Sequence, residues 1–172
     1  MKTKEFVLII AGVVLSGSAA FAAAGTAILQ GTVPDSKVSG QAALTETPEG
    51  LKISVTFQNV PPGKHGFHIH ENGACGEEGK AAGGHFNPGK VDHGLLSKDG
   101  FTHAHAGDFG NVEIGADGTG TFETVETGLT LGAGEHSVAG KAFILHEKED
   151  DFGQPTGNAG GRIACGVIEV TE

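Results

Sequence analysis

Nine histidines occur among 172 residues, and several fall in patterns that suit metal ions. His68 and His70 flank Ile69 in Gly66-Phe67-His68-Ile69-His70. On a β-strand, residues two apart project to one face, so these imidazoles can converge on one ion while Ile69 points away. The pair alone is a weak signal, since alternating histidines on a strand are more often surface decoration. Further along stand His85, His93, His105 and Asp108, with Gly83-Gly84 before the first and Pro88-Gly89 bending the chain after it. Three imidazoles and a carboxylate form a closed, tetrahedral set that suits zinc, and a loop with little core of its own gains order from the ion. The alternative is a solvated polar loop. His146 ends the apolar run Ala142-Phe143-Ile144-Leu145 and precedes the acidic Glu147, Glu149, Asp150 and Asp151. Imidazole coordination without thiolate or thioether suits copper that changes oxidation state, which makes His68, His70 and His146 candidates for a second site. A structural histidine at a strand end is the competing reading for His146.

These residues need a scaffold that brings distant positions together, and the rest of the chain reads as β-structure. Glycine is abundant at 30 residues, Trp and Tyr are absent, and no long amphipathic helical stripe occurs. In the segment 51–60, Leu51, Ile53, Val55 and Phe57 alternate with Lys52, Ser54, Thr56 and Gln58, the period of a half-buried strand. Pro48-Glu49-Gly50 and Pro61-Pro62-Gly63 supply turns on either side. Further strands are expected over 27–33, 38–45, 66–71, 111–114, 121–126, 141–146 and 163–170, with a tight turn at Ala116-Asp117-Gly118-Thr119. Eight short strands at regular spacing indicate an antiparallel sandwich or barrel. Residues 72–108 and 147–162 are too long and too rich in Gly, Asp, Glu and His for simple turns, and they hold the candidate ligands, so both read as functional loops.

The first 22 residues have the order of an export signal: Lys2 and Lys4, the apolar run Phe6 to Leu15, then Ser16-Gly17-Ser18 and Ala20-Phe21-Ala22. Cleavage is expected after Ala22, leaving one domain over 23–172. An uncleaved anchor is the alternative, but the apolar run is short for a bilayer. The net charge is −10, and removing Lys2, Lys4 and Glu5 with the signal takes away one net positive charge to give −11. An acidic protein without a basic face is a poor partner for nucleic acid or anionic membrane, and an anionic substrate needs a local positive funnel. Export places the only two cysteines, Cys75 and Cys165, where disulfides persist, so one bridge is expected, with two free thiols as the alternative.

Five stretches, in order, closely resemble the copper-zinc superoxide dismutases: Gly66-Phe67-His68-Ile69-His70-Glu71, Gly84-His85-Phe86-Asn87-Pro88, Gly107-Asp108-Phe109-Gly110-Asn111, His146 through Asp151, and Gly157 through Ile168. The resemblance covers about residues 27–170. It implies an all-β fold: a Greek-key antiparallel β-sandwich or flattened eight-stranded barrel, immunoglobulin-like in architecture, with two long functional loops. It implies disproportionation of superoxide to dioxygen and hydrogen peroxide, with one copper and one zinc per subunit. His68, His70, His85 and His146 match the family's copper ligands, and His85, His93, His105 and Asp108 its zinc ligands, so that His85 serves both. Asp150 matches the carboxylate linking a histidine of each site, Arg162 matches the guanidinium beside the copper channel, and His85 doubles as the family's proton store. His65 and His136 match framework hydrogen-bonding residues. His103 has no counterpart and is the alternative to His105, which is preferred because His105-Ala106-Gly107-Asp108 keeps the two-residue gap before the aspartate.

The pattern also departs from the family. Residues 152–162 form a shorter loop than in many eukaryotic members, and Arg162 is its only basic residue, which leaves Lys80, Lys90 and Lys98 as candidates for further steering. The gap between His93 and His105 is longer than expected. The short interval from His70 to Cys75 is more similar to bacterial members, in keeping with a periplasmic or secreted location. A homodimer is expected, with a monomer as the alternative. A metal carrier on the same sandwich is the competing function, although such relatives usually lose a copper histidine and this chain keeps all four.

Overall fold

The computed structural model describes residues 23–171; the expected signal segment, residues 1–22, lies outside the described residues. Eight strands form the body: β1 (Ala24–Gly31), β2 (Ser39–Thr47), β3 (Gly50–Gln58), β4 (Gly63–His70), β5 (Asp108–Ile114), β6 (Gly120–Glu126), β7 (Ala142–His146) and β8 (Arg162–Val167). A short β9 (Glu169–Thr171) continues after a break at Ile168, whose side chain is buried in the core. Neighbours run in the order β2-β3-β6-β5-β4-β7-β8-β1, and β1 also pairs with β2, so the sheet closes on itself with every pairing antiparallel. The all-β, closed Greek-key architecture expected from the sequence is the one observed.

Closure is uneven. The β5–β6 seam has a single paired position, Ile114 with Gly120, and the β1–β8 seam has Gln30 with Cys165 and Gly31 with Ala164. These thin seams flatten the barrel into two facing sheets, β1-β2-β3-β6 and β5-β4-β7-β8. Alternation fills the space between them: Leu51, Ile53, Val55 and Phe57 from β3 meet Phe67 and Ile69 from β4 and Phe143 and Leu145 from β7. Phe67 packs edge-on against Phe57 at 5.4 Å and stacks with Phe143 at 5.1 Å, contacts worth about 0.5–1.5 kcal/mol each beyond the area they bury.

The second sheet is unusual in being covered on its outer face as well, and this covering creates the site. The side chains of β4 and β7 that point away from the core are His68, His70, Ala142, Ile144 and His146, all buried. The connection from β4 to β5, residues 71–107, lies over them and contains only a 3₁₀ turn (Lys80–Ala82) and one turn of helix, α1 (Leu96–Asp99). Ala82, Ala142, Ile144 and Cys165 make a small apolar cluster of their own, with Cys75 against it. The Cys75–Cys165 disulfide, closing 90 residues, staples this loop to β8.

Several boundaries differ from those read in the sequence. β5 begins at Asp108, three residues early, because His68 pairs with Asp108 across a bulge between Gly66 and His68. β1 and β2 have boundaries displaced by one to three residues through their continuous mutual pairing. A third long connection, residues 127–141, was not anticipated. It crosses between sheets, and its Leu129, Leu131 and Val138 plug the core. Among the described residues no helix is long and apolar enough to cross a membrane.

Candidate metal centre

Backbone pairing places the histidines before any side chain is considered. His68 and His70 lie two apart on β4, opposite Ile144 and Ala142 of β7, so His146 stands diagonally across from His68 on the same outer face. The overlying loop is tied to the end of β4 by Glu71 N–H to Gly84 O at 3.0 Å and Phe86 N–H to Ile69 O at 2.8 Å. A bridge between His70 and His85 results, which sets the His85 ring beside the other three. From the far side, Gly107 O accepts from Ile69 N–H at 2.9 Å and carries His105 and Asp108 in.

Two groups of four donor atoms form, each spanning no more than 4.8 Å: His68, His70, His85 and His146, and His85, His93, His105 and Asp108; a set of three, His68, His93 and Asp150, overlaps both. All seven side chains are buried. His85 is common to both. Its ring centroid is 4.1 Å from that of His68 and 5.4 Å from that of His105.

Outward hydrogen bonds fix which nitrogen of each ring faces inward. His70 donates from Nδ1 to Gly83 O at 2.9 Å, leaving Nε2 free, and that atom is 3.4 Å from His146 Nε2. His146 turns Nδ1 toward Gly160 O at 3.4 Å. His68 and His93 use Nε2 instead, donating to Asp150 at 2.8 and 3.0 Å. Their Nδ1 atoms are buried and have no hydrogen-bond partner. His93 Nδ1 lies 2.8 Å from Asp108 Oδ2 without hydrogen-bond alignment, the disposition of two donors aimed at a shared centre. A buried polar atom without a partner is costly, and two of them, one in each group, are what cations between these atoms would relieve. The residues therefore fit one metal ion in each group, the first entirely imidazole and the second imidazole with one carboxylate, as copper and zinc respectively favour.

For the all-imidazole group the charge balance points the same way. Burial, reinforced by neighbouring imidazoles, lowers His70 to about 2, His146 to about 3 and His85 to about 4, so these rings are neutral at ordinary pH and keep a lone pair for a cation. Burial also lowers His68. For His93 burial is outweighed by the adjacent Asp108 and Asp150 carboxylates, which raise it to about 9. Asp108 is buried too, yet hydrogen bonds from the His105 and His85 rings, the proximity of His93 and the Gly94 N–H hold its pKa far below the usual carboxylate range.

Arg162 is paired with His146 across the β7–β8 bulge. Its guanidinium donates to Gly79 O at 2.6 Å and Gly83 O at 2.7 Å. Gly83 O is thus shared by Arg162 and His70. A groove of about 320 Å³ opens beside Arg162, lined by Val33, Glu78, Lys80, Gly160 and Gly161. Of the three lysines singled out from the sequence, Lys80 faces this groove, whereas Lys98 lines a separate one with Phe101 and Glu126. His103 is exposed and lies outside both donor groups. Both nitrogens of His65 lie 2.8 Å from carbonyls, those of His146 and Pro61. His136 differs from expectation: its contact is a face-on stack with Phe101 at 3.8 Å.

Three residues around the site escaped the sequence reading as candidates. Asn111 clamps the Asp150 backbone, accepting from its N–H at 2.7 Å and donating to its carbonyl at 2.9 Å. Gln154 does the same for His93, at 3.0 and 2.9 Å. Phe152 packs alongside the His93 ring, nearly parallel and laterally offset. Neutral amides and a lone aromatic on a loop carry no sequence signal of this kind.

A closed antiparallel barrel with two abutting donor groups that share one imidazole defines a class of dinuclear metalloprotein. The family model for copper/zinc superoxide dismutase (SODC) matches residues 38–168, and the chain belongs to that family. It is 41% identical over 129 residues to the extracellular superoxide dismutase [Cu-Zn] of Caenorhabditis elegans, an alignment covering 71% of this chain and 57% of that protein. The crystal structure of the clock protein EA4 resembles it with a TM-score of 0.77 and 32% identity, over 91% of this chain and 100% of the other. Copper and zinc are the metals of the family.

Proposed function

We propose that this protein disproportionates superoxide, two superoxide anions and two protons giving dioxygen and hydrogen peroxide. Copper is assigned to His68, His70, His85 and His146, and zinc to His85, His93, His105 and Asp108. The observation that carries this reading is the single imidazole of His85 lying in both donor groups. Copper supplies a one-electron couple that one superoxide can reduce and a second reoxidise, while zinc, with a filled d shell, supplies charge and order only.

The chain's own residues do the rest. Arg162, its guanidinium oriented by the Gly79 and Gly83 carbonyls, presents a fixed positive group at the groove and orients the incoming anion. Charge focused in a cleft raises encounter rates roughly 10 to 10³-fold, a magnitude for which superoxide dismutase is itself a standard illustration. His85 has Nδ1 held by Asp108 Oδ1 at 2.8 Å, so its Nε2 is the atom that can take a proton and return it to the product. Asp150 keeps the His68 and His93 rings in one tautomer and one orientation.

The apolar leader and a disulfide support export to the periplasm or the extracellular space, where the enzyme protects the cell envelope. A homodimer is the proposed assembly, with a monomer as the alternative. The deciding experiment measures superoxide loss on purified protein loaded with copper and zinc, alongside its metal content. Dismutation that requires both loading and His146 supports the reading; fully loaded protein without activity overturns it.

A further inference from the structure

The second long loop, residues 147–161, reaches across to the first at one point, His93, and holds it from three directions. Asp150 takes the ring edge at Nε2. Phe152 packs alongside the ring, laterally offset, with centroids 6.2 Å apart and planes 20° from parallel. Gln154 pairs with the backbone like a strand neighbour, its amide nitrogen donating to His93 O and its oxygen accepting from His93 N–H. Phe152 adopts φ of 59°, a left-handed conformation unusual for a bulky aromatic. That conformation lets its N–H donate to Asp150 Oδ1 at 2.8 Å and turns its ring onto His93. The ring tip lies near Gly110, where a Cβ would stand 3.4 Å from Cζ. The residue remains 44% exposed, so burial alone does not account for the strained backbone.

We propose that Phe152 and Gln154, both on this second loop, are positioning residues for His93 that set how long zinc stays bound. The inference rests on the zinc assignment of His85, His93, His105 and Asp108 made above. His93 is the vulnerable member of that set. It lies on the extended stretch between Lys90 and Leu95 with no strand to fix it, whereas His85 is bridged to β4, Asp108 begins β5, and His105, though also outside a strand, is tied through its N–H to Asp108 Oδ2 at 3.0 Å. Gln154 supplies the backbone pairing that a strand would have given, and Phe152 prevents the ring from rotating outward once it leaves the ion.

The test is the rate at which zinc, or cobalt(II) in its place, passes from fully metallated protein to an excess of chelator. Gln154→Ala and Phe152→Gly are each expected to speed release about 10-fold, and the double variant toward about 100-fold, the range typical of groups that orient a ligand. Phe152→Tyr, which keeps the flat ring, restores the slow rate. Gln154→Glu keeps only the oxygen facing His93 N–H and falls between, which preserves the test if the alanine variant folds poorly. Asn158→Gly removes the exposed contact from Asn158 to Asp151 in the same loop without touching His93, and leaves release unchanged. Equal release rates in wild type and both single variants overturn the proposal, as does an Asn158→Gly variant that loses zinc just as fast. If wild-type protein takes up no tetrahedral cobalt(II) at one equivalent, the zinc assignment itself falls, which is a different result.

Discussion

His68 and His93, one from each donor group, are joined through a single carboxylate: Asp150 accepts from His68 Nε2 at 2.8 Å and from His93 Nε2 at 3.0 Å. It also accepts from Phe152 N–H at 2.8 Å. Asp150→Asn replaces one acceptor with an N–H₂ and must break one of these bonds. The expected outcome is a loss of metal affinity of roughly 10 to 100-fold, shared between the two sites. Competition with a graded chelator, followed by copper and zinc analysis, measures it; unchanged affinity at both sites would remove Asp150 from the role.

Gly157 tests the same link from the backbone side. Its φ is 75°, and a Cβ there would lie 1.9 Å from Asp150 Oδ1 and 2.8 Å from His93 Nε2. Gly157→Ala therefore forces Asp150 off His93 and strains the turn as well. Zinc retention should fall by at least as much as in Asp150→Asn, with copper retention less affected, since His68 uses the other carboxylate oxygen. Crystallographic metal occupancies would distinguish this from general unfolding.

Much of this centre was legible in the sequence, and the reason is local. His68 and His70 share a face because strand periodicity requires it, and the motif around His85 carries a resemblance specific enough to assign a shared ligand. Asp108 was expected within a loop but begins a strand, since the bulge that realigns Gly66 and His68 against β5 depends on partners 40 residues away. The clamps made by Asn111 and Gln154 were invisible for a related reason. An amide that binds backbone leaves no pattern of charge or hydropathy, and only the approach of a loop distant in sequence gives it a target. The connection 127–141 was missed because its anchors Leu129, Leu131 and Val138 are scattered among glycines without a strand or helix period.

Arg162→Glu should slow dismutation and reverse the sign of its salt dependence while leaving both metals bound. The guanidinium touches carbonyls of the overlying loop and no donor atom of either group, so metal content is the control. A rate and salt slope equal to wild type would exclude Arg162 from guiding the substrate. Lys80 shares the groove but is paired loosely with Glu78 at 3.8 Å and is largely exposed, so Lys80→Ala should have a smaller effect.

Reducing the disulfide should act on both stability and chemistry. A bridge closing 90 residues restrains the unfolded chain by up to about 4 to 5 kcal/mol in the chain-entropy account. Cys75→Ser should lower denaturation midpoints accordingly. The staple also fixes the turn whose Gly79 and Gly83 carbonyls hold Arg162, so the variant should show a weakened salt dependence of rate even well below its melting temperature. Loss of stability with wild-type kinetics would show that the turn keeps its shape unaided.

The metal-stripped protein should have a stability maximum near pH 6.5. His70, His85 and His146 have folded-state pKa values lowered to about 2, 4 and 3, so the unfolded chain binds protons that the folded one refuses as pH drops below 6.5. Their contribution is present above 6.5 and is lost on acidification, each adding a slope of about 1.4 kcal/mol per pH unit until its own folded pKa is reached. His93 has the opposite sign. Raised to about 9, it stabilises the fold fully below 6.5, and that contribution disappears between 6.5 and 9. Zinc at His93 Nδ1 replaces the proton there, so loading should abolish the alkaline decline while leaving an acid limb, now steepened by protons competing for the imidazoles. Denaturant titrations at half-unit pH steps, with and without zinc, decide the matter. An alkaline limb that persists unchanged in the zinc-loaded protein would mean that the proton and the ion do not compete for the same nitrogen.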